Sequence, residues 1–172
     1  MRAHAVILMA VITCCGNARA SDNLSPPTGW HKPTPDELGR EPLRDKQPTR
    51  YVEARADFDG DGTDDDAALF MADDGMSEGV FVKLSSVATS QWTHIETVRH
   101  PRASGPLMGI AVAKPAAFTT ACGKGHWKCN EGEPVVVDLK HPAIDFFRFE
   151  SASSIIYWDS AAREFKRIST SD

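Results

Sequence analysis

RYVEARADFDGDGTDDDAALFMA, residues 50–72, passes from an alternating pattern to an unbroken apolar run through a segment built almost wholly of Asp and Gly. On the incoming side Val52, Ala54, Ala56 and Phe58 share one face and Tyr51 lies on the other, the period of a half-buried strand. On the outgoing side DAALFMA, residues 66–72, has no polar break and reads as an interior strand. The turn DDG at 73–75 follows, then GVFVKLSS at 79–86 and THIETVRH at 93–100, two further strand-like runs that extend the pair into an antiparallel meander. Farther along, PVVVDL (134–139), IDFFRFE (144–150), SIIYWD (154–159) and EFKRIS (164–169) repeat the pattern, the last two joined by SAAR as a hairpin. MGIAVA, inside the proline-punctuated stretch 101–115, reads equally as a strand or one helical turn. Turn signals at about ten-residue spacing argue for a mainly β, meander or sandwich-like single domain over 49–172.

The aspartates themselves need an explanation. Two carboxylates about 5 Å apart repel by roughly 0.8 kcal/mol even in water, so four converging would cost about 5 kcal/mol. Counting from Asp57, carboxylates stand at positions 1, 3, 5 and 9 (Asp57, Asp59, Asp61, Asp65), Gly62 at 6, and Thr63 at 7 offers its carbonyl. Alternate side chains around a Gly-permitted bend converge on one point, and hard oxygen donors in that number suit Ca²⁺. Position 12 is Ala68, so the bidentate glutamate of an EF-hand is missing. Asp64 and Asp66 alternate away from the shell. A solvated Asp-Gly turn is the plain alternative, since both residues are good turn formers.

Asp57-Phe58-Asp59-Gly60-Asp61-Gly62-Thr63-Asp64-Asp65 resembles the strand-loop-strand calcium motif of FG-GAP and VCBS-type repeats, D-hydrophobic-N/D-G-D-G-x-x-D before a hydrophobic strand. Where that family places a hydrophobic residue directly after the last aspartate, this chain has Asp66. The resemblance covers residues 54–72 and implies the ion site in a calcium-loop hairpin. It does not imply the propeller fold those repeats build, because the segment occurs once.

The N-terminus, MRAHAVILMAVITCCGNARA, has a positive Arg2, a short apolar run and a small-x-small end at Ala18–Ala20, the layout of a secretory signal peptide over 1–20. The run is too short to span a bilayer as a permanent helix. Acylation at Cys14 or Cys15 is disfavoured because Thr13 or Cys14 precedes them where a small residue belongs. The expected location is therefore secreted or periplasmic. Cleavage after Ala20 takes the formal charge from −5 to −7, a balance that offers no patch for nucleic acid. Residues 21–48 read as an irregular leader, with Trp30 as an anchor for the end of its first stretch, 21–33. It carries a short helix from Thr34 as N-cap, with Pro35 at the first position and Glu37 completing a capping box.

Only Cys122 and Cys129 remain after processing, and in an exported chain they should close an eight-residue disulfide ring worth about 2.5 kcal/mol. The ring displays Lys124, His126, Trp127 and Lys128, either as a tip for partner contact or with Trp127 folded onto the core. A zinc site at Cys122, His126 and Cys129 lacks a fourth ligand. No G-x-S-x-G, H-E-x-x-H or P-loop occurs. His94, His100 and His141 have no partner that suggests acid–base work, and Phe146, Phe147, Phe149 and Phe165 read as core. These readings converge on an exported, calcium-stabilised, non-enzymatic β domain that binds a protein or envelope component. The alternative is a cell-envelope hydrolase using the acidic loop for metal-assisted chemistry.

Overall fold

The two strands flanking the aspartates pair as the sequence pattern requires. β2 (Glu53–Ala56) runs antiparallel to β3 (Asp65–Ala72), with Ala56 opposite Asp65 at the mouth of the loop. The computed structural model describes residues 25–40, 42–44, 50–87, 91–100 and 105–171. The proposed signal peptide lies outside them.

β1 (Trp30–His31) joins the same edge of β3 beyond β2, at Ala72 and Met71. The leader is thus not wholly irregular: Trp30 sets its ring edge-on to Phe81 at 4.9 Å. On the other edge of β3, β4 (Ser77–Lys83) and β5 (Thr93–Arg99) complete a meander. The ambiguous MGIAVA segment is a strand, β6 (Met108–Ala113). A short ribbon follows, β7 (Ala117–Thr119) paired with β8 (Val136–Asp138). Then come β9 (Ala143–Arg148), β10 (Ser153–Asp159) and β11 (Glu164–Ser171), which form the second antiparallel sheet in the order β11-β10-β9-β6. The β10–β11 turn is SAAR as expected. Asp159 Oδ1 accepts from the Ala161 and Ala162 amides at 2.9 and 3.1 Å, and Arg163 closes the turn with φ +55°.

The sheets enclose one principal core. Val52, Ala56, Phe58, Ala67, Leu69, Val80 and Val82 come from the first, and Met108, Ile110, Ile144, Phe146 and Ile156 from the second. β3 reads as continuously apolar because it is buried on both faces: Ala67 and Leu69 enter this core, while Ala68 and Phe70 pack with Phe81, Trp30 and Trp92 behind it. Phe165 packs against this core as well as on Trp158, whereas Phe147 and Phe149 stack around Tyr51, with ring centres 5.2 and 5.8 Å away. Among the described residues no helix is long and apolar enough to cross a membrane.

α1 (Pro35–Leu38) carries the expected capping box. Thr34 Oγ1 accepts from the Glu37 amide at 3.3 Å and the Glu37 carboxylate accepts from the Thr34 amide at 2.8 Å. Partial burial pushes the Glu37 carboxyl up, but the bonds from Thr34 and from His31 outweigh it and leave it below the usual range. Its contribution to stability is therefore present above the ordinary glutamate pKa and lost as pH falls through the lowered value. Thr34→Ala should cost about 1 kcal/mol, a fall of roughly 2–4 °C in Tm at pH 7 that shrinks in acid.

Two sheets need a fastener where the chain crosses between them, and a buried carboxyl supplies it. Glu78, on β4 and 1 % exposed, meets the ring of His100 at 3.0 Å and accepts from the Leu107 and Met108 amides at 3.1 and 3.2 Å where β6 begins. Alongside, the buried Arg44 guanidinium donates to the Arg50 and Met108 carbonyls.

Candidate metal centre

The loop from Asp57 to Asp64 leaves the sheet at the end of β2 and re-enters it at Asp65. Phe58 is its root: fully buried in the core, it pins the incoming strand while the residues after it turn outward. Gly60 and Gly62 take φ of +79° and +90°, conformations that L side chains rarely adopt. Gly60 has a second constraint, because a Cβ there would lie 2.4 Å from the His141 ring.

Around that bend Asp57, Asp59 and Asp61 each bring a carboxylate oxygen within 4.8 Å of the others. Asp57 is gripped by the Gly60 and Gly62 amides at 2.8 and 2.9 Å, and Asp59 and Asp61 by the amides two residues on, Asp61 at 3.2 Å and Thr63 at 2.7 Å. Two hydroxyls reach in from the turn after β4: Ser86 Oγ donates to Asp59 at 2.7 Å and Ser85 Oγ to Asp61 at 3.4 Å. These serines are not foreseeable locally. They arrive because Lys83 pairs with Asp66, so the next residues of β4's exit run beside the loop.

Asp65 departs from the shell expected of it. Its side chain, 1 % exposed, turns inward to accept from the Phe58 and Asp59 amides at 2.9 and 3.4 Å and from the Ser85 amide at 2.8 Å. The physical reason is that these N–H groups sit at the strand ends and need an acceptor away from water. Burial raises the Asp65 carboxyl above its ordinary range against those bonds, and the charge of Asp59 adds to the rise. Asp65 thus ties both ends of the loop to β4's exit. Asp64 and Asp66 do face away, toward Arg55, whose Nε lies 3.5 and 4.0 Å from them.

The second expected site is the disulfide ring. Cys122 and Cys129 are bonded, with Cα atoms 4.9 Å apart, which leaves neither thiolate for zinc. The Ala121 amide donates to the Ser169 carbonyl at 2.7 Å, seating the ring on the edge of β11. Trp127 is 38 % exposed and does not fold onto the core; His126 and Lys128 are exposed beside it. Lys124 differs from the other three, for its ammonium turns back to the Thr170 carbonyl at 2.7 Å. Of the remaining histidines, His94 bonds Thr97 Oγ1 at 2.7 Å and lies against Trp30 and Phe81. No family model, no curated protein and no solved structure matches this chain, so the likeness to FG-GAP and VCBS repeats rests on residues 54–72 alone.

Proposed function

We propose that this protein is an exported, non-enzymatic β domain that one Ca²⁺ stabilises and that binds a protein or envelope component through the Trp127 tip. The observation that carries the reading is the convergence of Asp57, Asp59 and Asp61 in a loop suspended between two core strands. Those carboxylates, with the Thr63 carbonyl, are hard oxygen donors fitted to calcium, and Asp65 braces the loop beneath them. When bound, the ion supplies charge neutralisation. The chain's own groups orient the carboxylates through the amide bonds already formed. A catalytic metal would need an open position in a cleft. A cavity of about 410 Å³ does exist, but it is lined by the second sheet, β7 and the disulfide loop, and none of the three aspartates contributes to it.

Partner binding is tested by immobilising the intact protein and passing an envelope extract over it beside a Trp127→Ser, Lys128→Ser variant. A component retained by the parent and lost from the double variant is the expected result. Equal retention by both would place the contact elsewhere.

A further inference from the structure

The 410 Å³ cavity lies on the outer face of the second sheet, beneath the β7–β8 ribbon and the disulfide loop. Its size falls within the range of small-molecule sites, about 300 to 1,000 Å³. Asp145 of β9 and Lys124 of the disulfide loop both line it. The Asp145 carboxyl makes no hydrogen bond and no ion pair with any described residue, and burial alone pushes it above the ordinary range. Lys124 spends one of its three donors on the Thr170 carbonyl and meets no carboxylate among the described residues. Opposite charges thus line one half-open space, and neither forms an ion pair with a described residue; Lys124 is exposed, whereas the Asp145 carboxyl is partly buried, where a lone charge is costly. Ser153 and Thr170 add hydroxyls 2.6 Å apart, and Phe118 and Ile155 supply apolar wall.

We infer that this cavity binds a small zwitterion of the α-amino acid class, its ammonium on Asp145 and its carboxylate on Lys124, with a branched apolar side chain against Phe118 and Ile155. A ligand with one charge leaves the other wall group uncompensated; a zwitterion answers both with charge-assisted hydrogen bonds. The site shares no residue with the calcium loop, and of the disulfide ring it uses Lys124 but neither Trp127 nor Lys128.

Calorimetric titration of the intact protein with L-valine, isobutylamine and isovalerate tests this directly, because the last two each lack one charge. Valine should bind saturably, and each analogue about tenfold or more weaker, as expected when a charge-assisted bond is lost. Asp145→Asn and Lys124→Gln should weaken valine by a similar factor. Asp145→Asn should melt no lower than the parent, since it removes a charge that burial disfavours. Absence of saturable valine binding up to roughly 10 mM would overturn the inference. So would isobutylamine or isovalerate binding as tightly as valine, or a folded Asp145→Asn variant that binds valine like the parent.

Discussion

Glu78→Ala should be the most damaging single change outside the apolar core, costing about 3–5 kcal/mol of folding stability. The carboxyl joins β4 of one sheet to the first amides of β6 in the other, and its removal leaves the His100 ring and the Leu107 and Met108 amides without that acceptor in a buried space. At roughly 2–4 °C per kcal/mol for a domain of this size, Tm should fall by at least about 6 °C. Glu78→Gln keeps an acceptor oxygen and should lose distinctly less. Burial holds the Glu78 carboxyl above the ordinary range despite the bonds from His100 and the two amides. The folded state therefore keeps this proton to higher pH than the unfolded chain. The group's contribution is fully present below the ordinary glutamate pKa and declines as pH rises through the raised value. The Gln variant should flatten that part of the stability–pH curve. If Glu78→Ala melted within a degree of the parent, the fastening role would be wrong.

Removing calcium should have the next largest effect. Extracellular modules bind the ion at roughly 10⁻⁴ to 10⁻³ M. At about 100 times the dissociation constant, a ligand specific to the folded state adds about 2.7 kcal/mol, so chelator should lower Tm by roughly 5–10 °C relative to calcium-saturated protein. The expected effect rests on three carboxylates that lie within 4.8 Å of one another and that loop amides hold by hydrogen bonds. The Asp59→Asn, Asp61→Asn variant removes two of those charges, so it should tolerate chelator and gain nothing from calcium. A parent protein whose melting is indifferent to calcium would remove the stabilising role.

Features encoded within a few residues could be read directly. The Thr34 capping box, the SAAR turn and the Cys122–Cys129 ring each depend on neighbours in sequence, and the apolar run 66–72 declared a strand covered on both faces. What escaped depends on register between distant strands. β1 is two residues long and exists only because Ala72 offers an edge. β7 is three residues long, Ala117–Thr119, too short for any period to mark it. Ser85 and Ser86 reach the aspartates only through the β3–β4 pairing, and Asp65 was drawn inward by the amides that pairing exposes. His100 looked partnerless because Glu78 stands 22 residues earlier, and His141 covers Gly60 from another sheet's connection.

Calcium titration of the intact protein by calorimetry, run beside the Asp59→Asn, Asp61→Asn variant, addresses the proposed calcium site directly. One ion per chain with a dissociation constant of about 10⁻⁴ to 10⁻³ M, and no binding by the variant, is the predicted result. No saturable heat from the parent, or the same isotherm from both proteins, would contradict it.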